Sequence, residues 1–428
     1  MNTDFYTMIL WMAVVWPLLL AIPALHSRLP WPRHLAILPA AVLAVLPGDA
    51  LLELPWLLFG TGFAIDTGIR WILAMSVVIW LTAATVAMPA RRDPSYHHTT
   101  TLFLLTLSGN LGAILTTELV GFFSFSTLMG YGFYGLLINN GDTAVRRAGR
   151  LYLIFLIVAD LALFEALLLA AATTDDYRYE IVRQAMADNT ASLTYLSMVL
   201  LSFAFKAAIW PCHLWLLATF RSAPLSRTVL LGGVPVAMGL LGAIRWLPLG
   251  EHAFYLTGVV TQLVGVAAVL YAGLRLFRHV PLKLLPAMVT ILATGLFILA
   301  LGTGLAYPLL SLQFGYLGYP FIATLGTLLT AINVTVKRWQ DTHPQPGIET
   351  QQDNTLDLRT ERWIKAFWQC TSGRLLKRQS HWHALWLKVE TKFQGILHWK
   401  IAEFFVAGWS LRITLFTLLG LALAWLAG

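Results

Sequence analysis

Charge is scarce in this sequence and cysteine nearly absent: 12% of the 428 residues are Asp, Glu, Lys or Arg, and there are 2 cysteines. So little charge excludes the solvated surface of a soluble enzyme. With 58% hydrophobic residues and a mean hydropathy of +0.70, the chain reads as an integral membrane protein. Cys212 and Cys370 lie in unlike surroundings, so neither a disulfide framework nor a cysteine metal site is expected. No cofactor motif, metal-ligand cluster or nucleophile–base set stands out, so no cofactor, no metal and no chemistry of its own are expected. The first apolar run, from about Phe5, lacks a basic leader and is long enough to stay as a helix. The net charge of +8 sits mostly in loops, where it bears on topology rather than on nucleic acid.

What is present is long apolar segments. About twelve spans of roughly 20 residues each fit the hydropathy, near 5–25, 34–59 (interrupted at Pro47-Gly48), 66–89, 98–115, 116–139, 148–172, 193–218, 224–246, 253–277, 283–303, 305–335 and 402–426. Residues 173–192 read as a polar loop. Arg28, Arg33, Arg91, Arg92, Arg146, Arg147, Arg150, Arg221, Arg227, Arg275, Arg278, Lys283, Lys337 and Arg338 then all fall on one side. Asp49, Glu53, Asp175, Asp176, Glu180 and Glu251 fall on the other. Basic loops mark the cytoplasmic face. The expectation is a multi-pass protein of a bacterial cytoplasmic (inner) membrane with both termini non-cytoplasmic. Residues 1–337 form the transmembrane core, 338–400 a cytoplasmic loop and an amphipathic helix, and 401–428 a C-terminal transmembrane helix. Trp, Phe and Leu alternate with Lys and Arg over 355–400 at helical spacing. That pattern suits either the headgroup region or a partner subunit.

Ionisable residues inside spans are costly in lipid and mark function by default. Lys206 precedes Ala207-Ala208-Ile209-Trp210-Pro211-Cys212-His213-Leu214-Trp215, so a buried cation, a helix break and an imidazole share one stretch. Freed backbone at membrane depth is tolerated only against protein or a watered cavity. Glu118 is either a helix-end carboxylate or the partner of Lys206 across two helices. Asp160 lies mid-span, and Glu165, five residues on, falls on a different face. His213 either relays protons or bonds the backbone freed by Pro211. Arg245 is expected to snorkel, Lys283 to anchor a helix at the basic face, and Asp66 to cap one.

The run from Phe205-Lys206 through Trp210-Pro211-Cys212-His213-Leu214-Trp215-Leu216 to Ala223-Pro224 resembles the broken-helix signature of the antiporter-like membrane subunits. These occur in respiratory complex I, Mrp-type cation/proton antiporters, membrane-bound hydrogenases and inorganic-carbon uptake systems. Glu118-Leu119-Val120-Gly121 with Ser124-Phe125 resembles that family's Trp-Glu helix. Ala159-Asp160 resembles its Gly-Asp, and Lys283-Leu284-Leu285 with Gly295 its basic Leu-Leu segment. The similarity covers roughly residues 60–335. It implies an all-α fold of inverted repeats, each with a broken helix. It also implies proton transfer through a Glu118–Lys206 pair, with His213 on the path; Asp160 is read as a further proton-transfer residue, and Glu165, Lys283, Arg245 and Gln313 as supporting candidates. The chain departs from the pattern at Ala237, where the family places a lysine. No lysine follows between Lys283 and Lys337, so the second repeat is expected to be incomplete.

The function implied is a proton-translocating or proton-coupling subunit of a larger energy-converting complex, NADH-quinone oxidoreductase-like or hydrogenase-like. Its partners are then other subunits, the bilayer and protons. The alternatives are a non-conducting structural or anchoring subunit, and the energy-coupling subunit of a CO2/bicarbonate uptake complex.

Overall fold

The computed structural model describes residues 3–342 except 58–59, 88–92, 140, 188, 224 and 278–279. The expected amphipathic helix over 355–400 and the C-terminal span lie outside the described residues. Described are α1 (Thr3–Leu20), α2 (Pro23–His26), α3 (Pro32–Val45), β1 (Ala50–Glu53), β2 (Gly62–Ile65) and α4 (Thr67–Thr82), which runs into a π-turn at Ala83–Ala87. Then come α5 (Tyr96–Leu115), α6 (Leu119–Ile138), α7 (Thr143–Ala171), α8 (Tyr179–Ala187), α9 (Ser192–Lys206), α10 (Leu214–Ser222), α11 (Leu225–Gly233) and α12 (Pro235–Trp246). They are followed by α13 (Tyr255–Leu276), a 3-10 turn at Leu282–Leu284, α14 (Leu285–Ala306) and α15 (Pro308–Thr342).

The fold is that of a polytopic helical membrane protein. Among the described residues, 7 helical stretches are long and apolar enough to cross a bilayer, and the shorter apolar helices Phe5–Leu20, Pro32–Val45 and Ser192–Lys206 accompany them. Apolar side chains alone do not drive helices together in lipid, so close packing and buried polar contacts must hold the bundle. Several such contacts join helix ends. Asn139 donates to Thr99 Oγ1 at 2.7 Å, Arg227 to the Leu137 carbonyl at 2.8 Å, and Lys337 to the Val86 carbonyl at 3.0 Å. All of these ends belong to the side marked basic by the loop charges. At the opposite end Tyr195 donates to the Trp246 carbonyl at 2.9 Å.

Two expectations are corrected. The span near 34–59 is a 14-residue helix, α3, followed by a hairpin in which β1 pairs antiparallel with β2. Pro47-Gly48 ends the helix rather than interrupting it, since Gly48 takes φ 122, a conformation closed to most side chains. The polar loop 173–192 contains α8. The span near 224–246 is present as Arg227–Trp246, with a turn inside it at Pro235, which has no amide to continue α11 and opens α12. Asp66 caps α4 as expected, accepting from the Ile69 amide at 2.7 Å.

The corner between α1 and α3 carries a histidine pair that sequence reading passed over. His26 is fully buried, with Nδ1 3.1 Å from the Leu20 carbonyl and Nε2 3.1 Å from His97 Nδ1. A carbonyl only accepts, so His26 Nδ1 carries the proton and its Nε2 accepts from His97. Burial, with His97 and Arg33 nearby, holds His26 below the ordinary histidine value of 6.5. A depressed histidine stabilises the fold above its unfolded pKa, and that contribution is lost as pH falls. The melting temperature of the wild type is therefore expected to drop more between pH 7 and 5 than that of His26→Gln, which keeps both hydrogen-bonding directions without titrating. Equal drops in a thermal-shift series would refute this.

Candidate functional site

The site forms where α9 stops. Its helical hydrogen bonds end with the Ala207 amide on the Phe203 carbonyl at 2.8 Å, and Ala208 turns into the left-handed region at φ 52. The chain then runs through Pro211 and resumes as α10, with His213 at its N-cap. The break leaves carbonyls without helical partners, and such groups need replacements in an apolar setting. Trp215 supplies one: its indole N–H donates to the Phe205 carbonyl at 2.9 Å. Ala208 pays a left-handed cost that glycine would not, so Ala208→Gly is expected to stabilise by up to about 1 kcal/mol despite glycine's larger unfolded-state entropy. Chemical denaturation in detergent checks the sign.

Lys206, the last residue of α9, points into the bundle and is 9% exposed. Its Nζ lies 2.8 Å from Asp160 Oδ1 and donates to Ser126 Oγ at 3.2 Å. Asp160 is 7% exposed, and its other carboxylate oxygen has no hydrogen-bond partner among the described residues. The pair therefore joins α7 to α9, and Ser126 brings in α6. A cavity of about 20 Å³ opens beside it, lined by Ser126, Gly130, Tyr152, Phe205, Lys206 and Trp215. That volume accommodates roughly one water. Tyr152 donates to the Gly130 carbonyl at 3.3 Å and stacks obliquely on Trp215, with 5.0 Å between ring centroids.

The expected Glu118–Lys206 ion pair does not form. Glu118 is the extended N-cap residue of α6, bridged through its backbone to Arg178 in the loop before α8. Ser126, eight residues further into α6, is what Lys206 reaches, and eight residues amount to about 12 Å of helix. Glu118 is buried at that other end, beside the loop that carries Asp176 and Arg178. Arg178 donates to Asp176 Oδ2 at 2.6 Å and holds the exposed Asp176 carboxyl below the usual range.

The remaining predicted residues scatter. His213 is 4% exposed, and neither ring nitrogen makes a well-formed hydrogen bond among the described residues. Its ring lies 4.9 Å from that of Tyr271, over which the Arg275 guanidinium also sits at 5.6 Å. Glu165 is exposed on the outer face of α7 and is not part of the site. Arg245 does not snorkel: it is 4% exposed and donates to the Ala113 carbonyl at 2.8 Å and the Ile114 carbonyl at 2.5 Å, with its guanidinium over Tyr179. It thus caps α5, whose final carbonyls would otherwise be orphaned. Lys283 is half-buried in the 3-10 turn ahead of α14. The side chain of Gln313 lies outside the described residues. Ser126 and Tyr152 were not anticipated. Tyr152 had a signal, since 152, 156 and 160 share one helical face.

Fold and site together define a multi-span membrane protein with a buried lysine–aspartate pair at a broken helix. Residues 116–344, over half of the chain, match the family described as "NADH:quinone oxidoreductase/Mrp antiporter, TM", and the chain belongs to that family. It is 28% identical over 185 residues to the NAD(P)H-quinone oxidoreductase chain 4-3 of Nostoc, covering 42% of this chain and 33% of the relative. It is 30% identical over 193 residues to a probable K(+)/H(+) antiporter subunit of Rhizobium meliloti, covering 44% and 36%. The chain thus spans about a third of the length of these relatives. Among solved structures it is similar in fold to a chain of the Mrp complex from Dietzia, with a TM-score of 0.62 at 21% identity and 78% and 64% coverage. It is also similar to a chain of the membrane-bound sulfane sulfur reductase, an archaeal respiratory membrane complex, with a TM-score of 0.60 at 18% identity and 76% and 71% coverage.

Proposed function

We propose that this chain is a proton-coupling subunit of a larger energy-converting membrane complex, with the Asp160–Lys206 pair as its charge switch. The observation that carries the reading is the pair itself: two opposite charges, buried together at the break of a helix and beside a cavity of water size. The relatives support it, since those matched are named as quinone oxidoreductase and cation/proton antiporter subunits.

The physical sequence is short. A buried ion pair is held by mutual attraction against a large desolvation cost. A proton reaching the unpartnered oxygen of Asp160 cancels one charge, and Lys206 is then held only by neutral acceptors, Asp160 Oδ1 and Ser126 Oγ. The ammonium turns toward the cavity, where water competes for it. His213, past the break, takes the next position, with Tyr271 and Arg275 between it and the basic side. Loss of the proton from Asp160 restores the pair. Lys206 works by changing partners, which explains why it stands at a helix end, where the backbone leaves room.

The path needs a partner to be complete. From Leu284 to Val336 the sequence has no acid, lysine, arginine or histidine, and protons cross hydrocarbon only along polar groups or water. The purified chain in liposomes is expected to show little proton flux under an imposed pH gradient, while the native complex couples its reaction to protons. Robust flux by the isolated chain that depends on Lys206 would overturn the need for a partner. A complex that turns over without any proton coupling would overturn the proposal itself.

A further inference from the structure

α7 carries two carboxylates that face opposite ways. Tyr152, Leu156, Ala159, Asp160, Leu163 and Ala166 are buried. Ile154, Ile157, Leu161, Phe164 and Leu168 are exposed, by 57%, 41%, 61%, 44% and 48%. Glu165 is exposed on this second, apolar face, and makes no ion pair or hydrogen bond among the described residues. The helix has 29 residues and stays apolar from Leu151 to Ala171 apart from the two acids. Glu165 is fifteen residues past Arg150, about 22 Å along the axis, and about 9 Å short of the helix end at Ala171. With a hydrocarbon layer of roughly 30 Å, this places the carboxylate within the apolar slab. A carboxylate presented to lipid tails is disfavoured by several kcal/mol, and side chains of this kind pair with one another or face protein. Glutamate is too short to reach the headgroups past Leu168.

We propose that the outer face of α7, from Ile154 to Leu168, is the docking surface for a transmembrane helix of another subunit, and that this helix presents a lysine, arginine or histidine to Glu165. Charge complementarity selects the occupant. An apolar helix would leave the carboxylate unpaired, and lipid would do the same, whereas a membrane-embedded cation faces the same cost and is relieved by the same contact. The surface lies on the side of α7 opposite the Lys206 pair, so the two acids would tie the inner switch and the outer neighbour to one rigid helix.

The test reads assembly rather than proton movement, so it stands or falls separately from the function proposed above. In the native complex, p-benzoylphenylalanine at Leu161 is photo-crosslinked and the adduct mapped by mass spectrometry, with co-purification measured for Glu165→Gln and Glu165→Lys. The expected adduct lies in a transmembrane segment of a second subunit, within two helical turns of a basic residue. Glu165→Lys is expected to lower recovery of that same subunit by about tenfold or more through like-charge contact. Glu165→Gln, which keeps a hydrogen bond, lowers it less. Converting the partner's basic residue to glutamate should restore recovery in the Glu165→Lys background. Adducts to lipid or to this chain alone, or full recovery with Glu165→Lys, would overturn the proposal.

Discussion

Lys206→Ala is expected to abolish proton-coupled activity and also to destabilise the protein by about 3–5 kcal/mol, because it leaves Asp160 as an uncompensated buried charge. Asp160→Leu should destabilise comparably by stranding the ammonium. The double variant Asp160→Leu/Lys206→Met removes both charges and fills the space with apolar atoms. Its stability is expected to return to the wild-type level or exceed it by about 1–4 kcal/mol, while activity stays absent. This split separates the two roles such a pair can have. A pair kept for structure would be replaceable with no loss of function. Denaturation in detergent gives the stability arm, and coupling by the reconstituted complex gives the other. Activity in the double variant would remove the pair from the mechanism.

The second large effect is steric. Gly239 of α12 packs on the helix break, and a Cβ there would lie 2.6 Å from the Ala207 amide nitrogen and 2.8 Å from the Ala207 Cβ. The near atoms are backbone, so they cannot rotate away. Gly239→Ala is expected to cost about 1–3 kcal/mol by overpacking and to displace Lys206 from Asp160, lowering coupling at least about tenfold, since small misplacements of reacting groups carry such losses. Gly258→Ala is the control. Its Cβ would lie 2.7 Å from the Ala306 amide nitrogen, in the α13–α14 contact and away from the break. It should cost similar stability and spare coupling in the properly folded fraction. Equal activity losses in the two variants, measured per folded molecule, would show that the break has no special sensitivity.

Much of the architecture was legible because bilayer chemistry is stringent. Apolar segments about 20 residues long and one-sided basic loops left few alternatives for the helices. The break after Lys206 could be read from Pro211 alone, and the cap at Asp66 from its position before an apolar run. The hairpin at 50–65 could not, because two four-residue strands give too short an alternation to stand out from an apolar helix. The span near 224–246 was legible because hydropathy continues across Pro235, and the same continuity hides the turn there.

The site was legible in its members and not in its pairing. Lys206, Asp160 and His213 are buried as their cost in lipid implied. Which acid meets Lys206 depends on the depth and rotation of three helices, and linear sequence carries neither. Glu118 was weighed both as a helix-end carboxylate and as the partner of Lys206, and it precedes the first turn of α6. Asp160 was expected on the path but not as the partner of Lys206, although Tyr152, Leu156 and Asp160 mark the face of α7 that packs inward. Arg245 illustrates the same limit. A cation beside Trp246 at a helix end reads as an interface anchor, and only the folded arrangement brings it under the carbonyls of Ala113 and Ile114.

The most direct measurement compares Asp160→Asn with Glu118→Gln in the native complex reconstituted into liposomes, scoring proton coupling per assembled complex. Because Asp160 and not Glu118 holds Lys206, Asp160→Asn is expected to lose about a hundredfold or more, in the range for removing a proton-transfer group, and Glu118→Gln to keep most of the activity. Full coupling in Asp160→Asn together with loss in Glu118→Gln would contradict the account.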